Sequence, residues 1–148
     1  MKTLLRLLPL LTLLCCAALL ARAEDLGNVS PVGLWKNDDA KFEIFDSGGK
    51  LGAKIVSLTQ PNTPEGKPKT DIHNPDASRH GDSLLGMVFM RGFTPAGNGR
   101  WENGTIYDPK TGKTYSCYMQ LENKDTIRVR GFIGISALGR TQIWTRVK

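Results

Sequence analysis

The stretch "WENGTIYDPKTGKTYSCYMQLENKDTIRVRGF", residues 101–132, decides the architecture. It holds three short runs broken by two turn signals, "DPKTG" at 108–112 and "ENKD" at 122–125. Pro109 presets φ after Asp108, and Gly112 supplies the left-handed residue that closes a longer hairpin. Runs joined this way are sequential antiparallel neighbours. Between the turns the side chains alternate. Tyr115, Cys117, Met119 and Leu121 fall on one face with Thr114, Ser116, Tyr118 and Gln120 on the other, while Ile127, Val129, Ile133 and Ile135 oppose Arg128 and Arg130. The spacing predicts half-buried strands.

The same grammar extends in both directions. Strands are predicted at 32–36, 41–46, 51–58, 84–93, 100–108, 113–121, 126–135 and 140–147, with a further hairpin turn in "DSGGK" at 46–50. No window carries a long helical period, and there is no internal repeat. About eight antiparallel strands in a meander form either a two-sheet sandwich or an all-β, up-and-down barrel. Gly52, Gly86, Gly92, Gly104 and Gly131, within the predicted strands, favour the barrel, because glycine marks the bends of a curved sheet.

The N-terminal "MKTLLRLLPLLTLLCCAALLARA" has a basic start, an apolar run and the triplet Ala21-Arg22-Ala23. It reads as a signal peptide, residues 1–23, cut before Glu24, too short for a stable membrane span. An exported protein, periplasmic or secreted, is expected, with one domain at 24–148. Setting aside Lys2, Arg6 and Arg22 lowers the formal charge from +6 to +3, with 17 basic against 14 acidic residues. No basic cluster interleaved with aromatics accompanies it, so no nucleic-acid partner is expected. Cys15 and Cys16 leave with the leader, so Cys117 has no intramolecular partner.

Gly33-Leu34-Trp35 resembles the G-x-W start of lipocalin-type barrels. In such barrels the tryptophan lies at the closed end under an arginine from the last strand, so the resemblance points to Arg146, with Arg140 as the weaker candidate. The ordered set "DIHNPDASR", "LLGMVFMRGF", "WENGTIYDPKTGKTY", "VRGFIG" and "GRTQIWTR" resembles the small secreted bacterial proteins of domain of unknown function 2147. The resemblance covers the mature chain and implies a lipocalin-like β-barrel. It brings no established activity, hence no catalytic residues.

The longest gap between predicted strands, 59–83, contains "TDIHNPDASRHG" at 70–81. A metal reading would recruit Asp71, His73, Asp76 and His80. A helical turn explains more of it. Asn74 serves as N-cap, Pro75 as first helical residue, Asp76 opposes the positive helix start, Arg79 and His80 suit the negative end, and Gly81 terminates. Asp71 and His73 stay unassigned. No closed ligand set and no nucleophile-elbow pattern exists, so no metal, cofactor or enzymatic role is expected.

Three readings follow. The first is a small-molecule binding barrel whose interior, lined by Phe42, Ile44, Ile55, Phe89, Tyr115, Met119, Val129 and Ile133, holds a mostly apolar ligand. The second is a cell-envelope interaction domain with a filled core, gripping a protein partner through the proline-rich, extended "QPNTPEGKPKT" at 60–70. The third is an enzyme using the 71–80 loop.

Overall fold

The computed structural model describes residues 25–148. The signal-peptide expectation lies outside them. Eight antiparallel strands close into a barrel in sequence order: β1 (Gly33–Lys36), β2 (Ala40–Ser47), β3 (Lys50–Leu58), β4 (Val88–Gly97), β5 (Arg100–Asp108), β6 (Lys113–Asn123), β7 (Thr126–Phe132) and β8 (Arg140–Arg146). The ring is shut by β1 on β8, with Trp35 opposite Arg146. Closure leaves no unpaired sheet edge. Three short 3-10 turns, at Leu26–Asn28, Ala77–Arg79 and Ser136–Leu138, are the helical content of the described residues.

The turn chemistry sets the register. Gly48 and Gly49 at φ 65° and 84° make the two-residue β2–β3 hairpin, with Asp46 Oδ1 accepting from the Gly49 N–H at 2.9 Å. At the β5–β6 turn the Gly112 N–H donates to Asp108 O at 2.8 Å. Alternation then packs the interior. Ile44, Met90, Phe93, Met119, Leu121, Ile127 and Val129 are among the largest buried side chains. Gly104 is required in β5, because a Cβ there would overlap the ring of Phe93.

Two strand predictions shift. The fourth strand begins at Val88, not at Leu84, and runs to Gly97, because Leu84–Met87 belong to the long loop. Pro95 is tolerated at an irregularity in the register, where the ladder donor it lacks is not needed. The seventh strand ends at Phe132, three residues early. Gly134 at φ 73° turns the chain into the 3-10 turn, so period two ceases to apply. Ile133 and Ile135, expected inside, are 68% and 63% exposed.

One end of the barrel is sealed as its residue types dictate. Buried Trp35 donates from Nε1 to Pro31 O at 2.7 Å, and the Arg146 guanidinium lies 4.2 Å over its ring. Arg146 also donates to Ser30 O, Val32 O and Lys124 O at 2.9, 3.2 and 2.8 Å. Gly33, at φ 135°, brings the backbone so close that a Cβ would sit 3.2 Å from Arg146 Nη1. The β2–β3, β4–β5 and β6–β7 turns share this end, since strands alternate in direction. The β1–β2, β5–β6 and β7–β8 turns and the long loop between β3 and β4 share the other.

Candidate functional site

Phe42 on β2, Phe89 on β4 and Trp144 on β8 meet across the barrel. Phe42 stacks on Trp144 with centroids 4.3 Å apart, and Phe89 lies 5.2 Å from Phe42 and 6.1 Å from Trp144. Strands β4 and β8 stand on opposite walls, so these rings bridge the lumen at that level. Of the side chains expected to line an interior ligand site, Phe42, Ile44, Ile55, Phe89, Met119 and Val129 are buried within this packing. Tyr115 is half-buried and Ile133 lies outside the barrel altogether.

Two concavities lie where the long loop meets β4, β5 and β6. One, of about 270 Å³, is lined by Asp71, Asn74, Pro75, Arg79, Tyr107 and Thr114 on its loop and β5–β6 sides. The other, of about 310 Å³, extends it along Asp82–Gly86. Arg79, Met87, Val88 and Arg91 line both, making them one continuous cleft.

A buried carboxylate fixes that cleft. Asp71 has no exposed surface, accepting from Tyr107 Oη at 2.7 Å and from Asn74 Nδ2 at 2.7 Å. Tyr107 belongs to β5 and packs partly against the core, so its bond to Asp71 staples the loop to the barrel. The Asp71 N–H donates to Asp82 O at 2.8 Å, and the Asn74 N–H to Asp71 O at 3.0 Å. A second anchor is the β5–β6 turn, where Gly112 sits so tightly under the His73 carbonyl that any Cβ would overlap it. Burial first, then the hydrogen bond and charge of Asp71, push the Tyr107 phenol up to about 12. A buried, doubly bonded carboxylate is positioned to hold structure, not to meet a ligand.

The helical turn is present but displaced. It spans Ala77–Arg79 with Asp76, not Asn74, as N-cap: Asp76 Oδ1 accepts from Ser78 N at 3.0 Å and Ser78 Oγ at 2.7 Å. Asn74 is engaged elsewhere, donating to Asp71 while its Oδ1 accepts from Asp76 N at 2.9 Å. Pro75 therefore precedes the turn rather than opening it. The serine bonds hold the Asp76 carboxyl below its ordinary range. His80 bonds the Asn74 carbonyl through Nε2 at 2.9 Å, and no three His, Cys, Asp or Glu among the described residues gather as a metal site.

The proline-rich segment is not extended. Thr63 N donates to Lys67 O at 2.7 Å and Lys69 N to Pro61 O at 2.9 Å, closing 61–69 into a miniature hairpin. Its Asn62–Pro68 bridge leaves little free backbone for a partner to grip.

The cleft holds two arginines, Arg79 and Arg91, and two carboxylates, Asp71 and Asp82, a grouping that the sequence did not mark. Arg79 is tied to Asp82, Nε to Oδ2 at 2.9 Å. Arg91, exposed on β4, donates only to Val88 O at 3.3 Å and forms no ion pair among the described residues. Met87, Val88 and Pro75 are the apolar members of a mostly polar lining, and Arg91 is the cation in it that has no ion pair among the described residues.

A search of curated proteins finds no match. Among solved structures, the chain is similar to protein HP1028 from the human pathogen Helicobacter pylori, described as belonging to the lipocalin family. The TM-score is 0.71 at 22% identity, over 81% of this chain and 84% of that one, which establishes a shared lipocalin-like fold. The family described as "Uncharacterized protein conserved in bacteria (DUF2147)" matches residues 33–146, the whole barrel from β1 to β8, and the chain belongs to that family.

Proposed function

We propose that this is an exported binding protein for a small amphiphilic anion, held in the cleft between the long loop and β4–β6. The observation that carries the reading is Arg91: a guanidinium with no carboxylate partner among the described residues, lining a concavity together with Met87 and Val88. An unpaired guanidinium beside apolar surface suits a carboxylate or phosphate head on a short hydrocarbon body. Export rests on the leader residues Met1–Ala23. A binding role, not a catalytic one, is supported by the engagement of Asp71, Asn74, Asp76 and His80 in loop contacts. The bridged lumen argues for this cleft over an interior site.

The test is thermal stabilisation by octanoate and octyl phosphate, with octanol and inorganic phosphate as partial analogues. Binding at 100 times the dissociation constant contributes about 2.7 kcal/mol of stability. The two amphiphiles should raise Tm in wild type and lose the effect in Arg91→Ala. Equal stabilisation by octanol, or no loss in Arg91→Ala, would contradict the reading.

A further inference from the structure

The β7–β8 loop presents an apolar tip that neither the barrel nor the cleft uses. Within six residues Ile133, Ile135 and Leu138 are 68%, 63% and 80% exposed. They are held outward by a braced backbone. Arg130 donates from Nε to Ser136 O at 2.7 Å, from Nη2 to Ala137 O at 3.1 Å, and from Nη1 to Thr141 Oγ1 at 2.6 Å. Three ordered donors from one side chain keep the loop from folding its aliphatic groups back onto the wall.

Below the tip comes a collar of different chemistry. Phe132 and Tyr118, on the outer face of β7 and β6, have ring centroids 6.4 Å apart, and the Arg100 guanidinium, ion-paired with Glu102, lies 3.8 Å over Tyr118. The final hairpin is also cationic: residues 126–148 include Arg128, Arg130, Arg140, Arg146 and Lys148 and no acid. Arg128 pairs with Glu122, and Arg146 lies over Trp35. Arg130 and Arg140 flank the loop without an ion pair among the described residues. Aliphatic side chains foremost, then aromatic rings, with cations around both, is the sequence of environments met on entering an anionic bilayer.

We infer that the β7–β8 loop docks the protein on an anionic lipid surface, Ile133, Ile135 and Leu138 entering the acyl boundary and Arg140 meeting the phosphates while Arg130 braces the loop. This loop lies at the same end as the long loop, so docking would turn the end bearing the proposed cleft toward the membrane. The inference does not depend on the cleft binding anything.

The experiment is flotation with vesicles of phosphatidylglycerol and phosphatidylethanolamine, and separately of phosphatidylcholine, using protein purified from its host with wild type and variants at the same N-terminus. Wild type should float with the anionic vesicles and be released by salt. The Ile133→Ser, Ile135→Ser, Leu138→Ser variant should lose at least about tenfold in bound fraction, given the area each aliphatic side chain removes from water. Arg140→Gln, which leaves the Arg130 brace intact, should weaken binding to anionic vesicles selectively. All sites are exposed, and unchanged circular-dichroism melting verifies the fold. The inference is overturned by equal binding to phosphatidylcholine, by vesicle binding that ignores the tip, or by no binding at low salt. It is equally overturned if the tip variant's only effect is to dissolve a self-associated species seen by ultracentrifugation without lipid.

Discussion

Replacing Asp71 with alanine is expected to cost about 2–4 kcal/mol, because the Tyr107 hydroxyl and the Asn74 amide lose the acceptor they share. The carboxylate is fully buried and takes two short hydrogen bonds, from Tyr107 Oη and Asn74 Nδ2, both at 2.7 Å. Each such bond to a charged acceptor contributes roughly 1.5–3 kcal/mol. The two are not simply additive, because they share one carboxylate. Asp71→Asn separates shape from charge: its amide can donate to Tyr107 Oη while its oxygen still accepts from Asn74, so a loss of about 1–2 kcal/mol is expected. Urea denaturation should rank wild type above Asp71→Asn above Asp71→Ala. A double-mutant cycle with Tyr107→Phe should give a coupling of about 1.5–3 kcal/mol. If Asp71→Ala stays within about 0.5 kcal/mol of wild type, the range of an ordinary surface substitution, or if the coupling vanishes, then the loop is not stapled to the wall as described.

Arg146→Ala removes three donations to backbone carbonyls and the contact with Trp35, and should destabilise by about 2–4 kcal/mol in the same urea assay, with Arg146→Lys recovering only part. Gly104→Ala drives a methyl group into the buried Phe93 ring and should cost about 1–3 kcal/mol, relieved when combined with Phe93→Leu. Tyr107 sets an alkaline limit. Its phenol is raised from 10.0 to about 12, so the unfolded chain gives up that proton first. The stabilisation is therefore complete below pH 10 and drains away toward pH 12, and between about pH 9 and about pH 11 wild type should lose more stability than Tyr107→Phe.

The strands were legible because they are written locally. Asp108-Pro109, Gly112 and Gly48-Gly49 fix hairpins within a few residues, and alternation along 115–121 shows which face is buried. The shortened seventh strand was not: Ile133 and Ile135 continue the apolar period of Ile127 and Val129, and only Gly134 at positive φ breaks it. Apolar character alone could not separate a lumen-facing isoleucine from one on an exposed tip. The cleft was harder still. Asp71 pairs with Tyr107 across 36 positions, a contact that only the folded loop creates. Its local half, Asn74 to Asp71, was not read either, because Asn74 fitted a helix N-cap and left Asp71 unassigned. The same competition explains the displaced cap, with Asn74 drawn to Asp71 and Asp76 left to cap Ala77–Arg79. Nothing in the sequence singles out Arg91, because its place in the cleft comes from the loop residues that line it with β4.

Where a ligand sits is the central question, and native mass spectrometry of protein purified gently from its own host addresses it directly. Wild type and Phe89→Leu, which alters the ring cluster across the lumen, should both retain the added mass of a small organic anion, while Arg91→Ala should be folded and empty. A mass kept by Arg91→Ala and lost by Phe89→Leu would place the ligand in the lumen, and no added mass in wild type would contradict the binding role.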